Sequence, residues 1–187
     1  MFTRGFKAKC ENMSLQIRKE LGLNGSDPLS ARVLTEHLGV LLVRPSEIEG
    51  LPQETARLLL GKGKDAWSAV TISYGDSDII IHNSSHSRAR QASDIMHELA
   101  HILLDHEASK IIVSQQVPIM LREYNKNLED EAAWFAGCLL LPRDALLLIR
   151  NVRMTDREAC TIYEVSSKLL NYRINVTGVQ YQIEARR

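Results

Sequence analysis

The pattern His97-Glu98-x-x-His101, set in the run Met96-His97-Glu98-Leu99-Ala100-His101-Ile102-Leu103-Leu104, constrains this chain more than any other feature. Residues four apart share one face of a helix, so His97 and His101 can turn ring nitrogens toward a single ion. Glu98, one step from the first histidine, flanks that face and can reach a water beside the ion as a general base. An apolar run at 79–81 reads as a strand, and the polar turn at 82–87 can cap the helix that follows. Ile102, Leu103 and Leu104 bury the opposite side. A buried helix that still carries two imidazoles and a carboxylate on one face needs a partner for them, and a metal ion supplies one.

A site of this kind takes a third protein ligand. Glycine and histidine seven and ten residues after His97 would complete one large class, but Leu104 and Glu107 stand there. A carboxylate from a later helix is the other source, and residues 127–142 offer it. Counting from Leu128, the residues Ala132, Phe135, Ala136, Leu139 and Leu140 make a helical apolar stripe. Glu129 borders that stripe and Glu131 points elsewhere. Glu129 is therefore the expected ligand and Glu131 the second choice, although acidic residues also suit a helix N-terminus on electrostatic grounds alone.

Together these segments resemble the ImmA/IrrE family of metallopeptidases, which pairs His-Glu-x-x-His with Glu-x-(Glu/Gln)-Ala-(Asn/Asp)-x-Phe-Ala-x-x-Leu-Leu-x-Pro. The second motif runs here through Glu129, Glu131, Ala132, Phe135, Ala136, Leu139, Leu140 and Pro142. Arg90-Gln91, Pro28-Leu29 and Leu38-Gly39-Val40 are similar as well. The resemblance implies Zn2+ held by His97, His101 and Glu129, with Glu98 as general base. It also implies a protein substrate inside the cell, a DNA-binding transcriptional repressor. Ala133 departs from the family's Asn or Asp, which removes a possible orienting partner four residues past the ligand. The expected fold is α+β and zincin-like, with a small mixed sheet packed on the active-site helix and several further helices. A zinc-fold module that sequesters a regulator without cutting it is the alternative, and incubation with the neighbouring regulator followed by mass measurement discriminates.

At 187 residues the chain suits one domain. Residues 1–82 supply N-terminal helices and sheet, 83–142 the metal-site helices and their connection, and 143–187 C-terminal helices. A net charge of zero leaves no basic excess to hold nucleic acid. No apolar run is long enough to span a bilayer, and the first residues lack a secretory signal, so a cytoplasmic location is expected. Cys10, Cys138 and Cys160 are odd in number and far apart, and read as small buried hydrophobes. Gly61-Lys62-Gly63-Lys64 lacks the spacing of a phosphate loop and reads as solvated.

Elsewhere, Phe6, Cys10, Met13, Ile17 and Leu21 recur at helical steps up to Gly22. Asp27-Pro28 opens a second helix with Val33, Leu34, His37 and Leu38 inward. A strand at 40–43 and a helix at 51–60 follow, then strands at 67–74 and 78–82. Pro142 starts a helix, Thr155 and Glu158 form a capping box for another, and residues 166–176 make the last. Around the motif, His82 and His86 read as capping or exposed histidines that could also line the cleft. Arg88 and Arg90 near the helix start call for a compensating carboxylate. Asp105, four residues past His101, is placed either to accept that ring's second N–H or to stand as a solvated aspartate at the helix end, whereas His106 lies off the metal face. Residues 107–126 show no helical period and read as lid-like apolar pieces, with Tyr124 a candidate oxyanion donor.

Overall fold

A computed structural model describes residues 2–74, 77–106, 110–112, 118–120 and 125–184. In chain order, α1 (Phe6–Glu20) and α2 (Ala31–His37) lead to β1 (Leu41–Val43) and α3 (Gln53–Leu60). β2 (Ala69–Tyr74), β3 (Ser77–His82), α4 (Arg88–Leu103), β4 (Lys110–Ile112), β5 (Pro118–Met120) and α5 (Lys126–Leu140) follow. The chain continues through α6 (Arg143–Asn151), α7 (Asp156–Ile162), α8 (Ser167–Thr177) and α9 (Val179–Glu184). The sheet runs β1-β3-β2-β5-β4 and is mixed: β1 is parallel to β3 and the other pairs are antiparallel. This is the α+β, zincin-like arrangement anticipated for the chain.

The core forms where α4 and α5 pack face to face. Ile95, Met96, Leu99 and Ala100 on α4 meet Ala132, Phe135, Ala136 and Leu139 on α5, all at 5% exposure or less. Burying each large side chain of this kind contributes about 1.5–3 kcal/mol relative to leaving it in water. Phe6, Cys10 and Ile17 bring α1 onto the outer side of α5, so α5 is covered nearly all round. Ile80 of β3 and the helix α2 cover α4 from the sheet side.

At the C-terminal end of α5, two fully buried arginines meet its last carbonyls. Arg18 donates from Nη2 to Leu139 O at 2.6 Å, and Arg173 donates from Nε to Leu141 O at 3.1 Å. Ser14 donates to Cys138 O at 2.8 Å, and Glu11 accepts from Arg173 Nη2 at 2.5 Å. Burial pushes the Arg18 guanidinium down to about 10, still charged at neutral pH. Gly137 gives Arg173 its passage, since a Cβ there would stand 3.0 Å from Arg173 Cδ.

Several elements differ from the sequence-based expectation. Asp27 does not cap α2; its carboxylate accepts from Asn24 N and Nδ2 in a turn of its own, and α2 starts after Ser30. Val33 and His37 face solvent, and the short helix buries Ala31, Leu34 and Thr35 instead. The chain does not end its helices at Gly178: that residue turns left-handed (φ 64°) and α9 restarts at the fully buried Val179. The pieces read as lid-like at 111–112 and 118–120 are strands of the sheet. Cys10 and Cys138 are buried, with thiols raised by that burial, to about 12 for Cys10, but Cys160 is only half-buried.

Candidate metal centre

Each of the two helices that carry the site is locally capped at its start. Ser87 accepts from Arg90 N to open α4, and Asn125 Oδ1 accepts from Asn127 N at 3.0 Å to open α5. Glu129 therefore falls in the first turn of α5, and His97 and His101 one turn apart on α4. Packing of the two helices brings them together. His97 Nε2 lies 3.0 Å from Glu129 Oε2, His101 Nε2 lies 3.3 Å from Glu129 Oε1, and the two Nε2 atoms are 3.2 Å apart.

The donor set fits a transition-metal ion. Among the described residues these three form a group whose candidate ligand atoms all lie within 4.8 Å of one another. A tetrahedral ion bonded at about 2.0–2.1 Å to each ligand holds them roughly 3.3 Å apart; here the two nitrogens stand 3.2 Å apart, with one Glu129 oxygen near each. Two imidazoles and one carboxylate suit zinc, and one position of a tetrahedron is left over for water. The His101 side chain is 3% exposed, whereas His97 and Glu129 are 28% and 31% exposed. Access is thus from their side.

Glu98 sits on the sheet side of this group and accepts a short hydrogen bond from the Thr71 hydroxyl of β2. Among the described residues β2 pairs with β5 only at Ser73–Met120, so residues 69–72 have β3 on one side and no described strand on the other. Beside His97 a cleft of about 450 Å³ opens, lined by Phe2, Ser93, Ala133, Trp134, Leu169 and Tyr172. Ala133 is exposed there, one turn beyond Glu129.

Other residues singled out from the sequence fall elsewhere. Glu131, the second choice as ligand, is drawn to His106 Nε2 at 3.4 Å and away from the histidine pair. Asp105 does not receive His101: α4 ends at Leu103, Asp105 turns left-handed (φ 54°) and is exposed, and His106 takes its place. Nδ1 of His106 lies 2.8 Å from His101 Nδ1, a contact that helical spacing hides because the helix has already stopped. His82 and His86 neither cap nor line the cleft. Both are buried; His86 is held by Asp94 at 3.2 Å and Lys64 O at 2.9 Å, and burial raises the Asp94 carboxyl. Burial chiefly, helped by the Arg32 and Arg44 charges, lowers the basicity of His82. Arg90 finds its carboxylate, Asp94, at 3.8 Å. Tyr124 lies outside the described residues.

The sequence profile described as Peptidase_M78, IrrE N-terminal-like domain, matches residues 55–175, from α3 into α8 and through the whole site. The chain belongs to this peptidase family. A comparison with curated proteins returned no match. Membership in the IrrE-like family carries a metallopeptidase-type function and a protein substrate. A metal cofactor accompanies that function, and the His-His-Glu cluster is where the described residues could hold it. Among those residues no single helix is long and apolar enough to cross a membrane.

Proposed function

We propose that the chain is a zinc-dependent endopeptidase of the cytoplasm that cleaves an intracellular protein, with a DNA-binding repressor as substrate. The observation that carries the reading is the convergence of His97, His101 and Glu129, whose two Nε2 atoms stand 3.2 Å apart with one Glu129 oxygen 3.0 Å from the first and the other oxygen 3.3 Å from the second, with Glu98 next to His97 on α4. Zn2+ held by these three residues lowers the pKa of a bound water to about 7 and polarises a carbonyl beside it. Glu98 is the base that takes the proton from the attacking water and later gives it to the leaving amine. Thr71, donating to Glu98 Oε2, orients the carboxylate that takes that proton. Residues 69–72 of β2, which among the described residues have a strand on one side only, offer backbone groups for an extended substrate chain.

That the substrate is a repressor follows from the family resemblance, and no residue of the site names it. Purified protein is expected to contain about one zinc per chain, and Glu98→Gln to keep it while losing cleavage of a regulator substrate followed by intact mass. Undiminished cleavage by Glu98→Gln would remove the base assignment. Metal without cleavage in the wild type would favour sequestration, and a protein that takes up no metal would reject the site.

A further inference from the structure

We propose that the cleft beside His97 is a substrate subsite that takes a large apolar side chain next to the bond to be cut, and so sets which peptides the chain cleaves. This subsite rests on the reading of His97, His101 and Glu129 as a metal centre. The cleft, about 450 Å³, follows the seam between α4 and α5 and has His97 in its wall. From α4 it also takes Ser93, one turn before His97. From α5 it takes Asp130, which follows Glu129, and then Ala133 and Gly137 at steps of three and four. Leu169 and Tyr172 of α8 add a third side. Substrate held at the metal through a backbone carbonyl therefore has a neighbouring side chain within reach of this space.

The lining decides what the space accepts. Ser93, Ala133 and Gly137 are small, and they leave a groove where larger side chains would fill it. Around them the surface is aromatic. Trp134, itself 5% exposed, meets the Phe2 ring at 5.5 Å and the Tyr172 ring at 6.5 Å, both edge-on, which joins the three into one wall. Tyr172 is 47% exposed and has apolar surface to give to a ligand. Among the described lining residues Asp130 is the only aspartate, glutamate, lysine or arginine, and it is half-exposed and paired with Lys126 Nζ at 3.2 Å. A charged side chain entering the cleft would lose water and meet no opposite charge left to itself, whereas a phenylalanine or leucine side chain loses only its contact with water.

Peptide hydroxamates test the subsite on the zinc-loaded chain by calorimetric titration, because the hydroxamate anchors each probe on the metal and binding is read without turnover. Three probes differ only in a benzyl, methyl or aminobutyl side chain beside the hydroxamate. Each is made with the hydroxamate at the N-terminal or the C-terminal end, so that both sides of the bond are sampled. In one of the two series the benzyl probe should bind about 10–100-fold tighter than the methyl and aminobutyl probes. Ala133→Phe and Ser93→Leu, which fill the cleft from opposite helices, should each abolish most of that preference. Equal affinity of the three probes in both series, a preference for aminobutyl, or a benzyl preference that both variants leave intact would each overturn the subsite while leaving the metal centre standing. Should Ala133→Phe lose zinc, Ser93→Leu decides. A wild-type chain that takes up no zinc removes the metal centre, and the subsite with it.

Discussion

At its C-terminal end α5 presents the carbonyls of Cys138 and Leu139, with Leu141 just beyond, and the chain brings its own donors to them from Ser14, Arg18 and Arg173. At its N-terminal end the atoms that converge on Glu129 are two imidazole nitrogens, with no arginine or lysine among the described residues there. Both clusters are polar and set into the same apolar core. The difference lies in where the positive charge comes from. Guanidinium groups are covalently part of the fold, so the C-terminal cluster can only hold structure. The N-terminal cluster offers lone pairs, and in the reading proposed above it takes an exchangeable cation whose remaining position can do chemistry.

The widest separation between the two ends should come from removing one member of each. Glu129→Ala is expected to weaken zinc binding by more than the 10–100-fold or so that an orienting partner costs, with hydrolysis lost alongside it. Folding should persist, and equilibrium metal titration with circular dichroism checks both. Arg173→Met is expected to do the reverse. It strands the Glu11 carboxylate and Leu141 O in the interior and should cost about 3–5 kcal/mol in urea unfolding, with zinc affinity unchanged. A variant of Arg173 with full stability and impaired metal binding would break the comparison.

Ser14→Ala sharpens it on a smaller scale. The hydroxyl donates to Cys138 O and accepts from Arg18 Nη1 at 2.7 Å, both out of water, so its loss should cost about 1–3 kcal/mol and again leave the metal untouched.

The smallest effect belongs to neither end. His82 is 1% exposed, its Nδ1 has no hydrogen-bond partner among the described residues, and burial lowers its basicity below the ordinary value of 6.5. The unfolded chain then binds the proton more readily than the folded one, so stability falls as pH drops below about 6.5, by at most about 1.4 kcal/mol per pH unit. His82→Leu should remove that part of the slope, measured by thermal unfolding between pH 7 and 5.5. An unchanged slope would show that other groups carry it.

Legibility in the sequence followed the range of the interactions. The capping box of Thr155 and Glu158 involves neighbours on one turn and stands as expected. The run from Phe6 to Ile17 likewise depends only on helical spacing, and Phe6, Cys10 and Ile17 are buried with Met13 half-buried. Errors arose where a local signal was outbid by a nearby alternative. Asp27 had the right chemistry for a cap but a closer partner in Asn24. At Asp105 two readings stood open, and because α4 stops two residues before it the residue is the solvated aspartate rather than the acceptor for His101.

By itself the sequence determined that His97 and His101 face the same way with Glu98 beside them, because four residues make about one helical turn wherever a helix forms. It also carried the family, since both motifs lie within the matched residues. Only the tertiary structure decided that Glu129 rather than Glu131 meets the pair, that Thr71 of β2 reaches Glu98, and that His106 backs His101. Two of these partners lie about thirty residues from the group they touch, and the third lies past a helix end. Their positions depend on how α4, α5 and the sheet dock, a result of packing the whole core that no spacing along one element encodes.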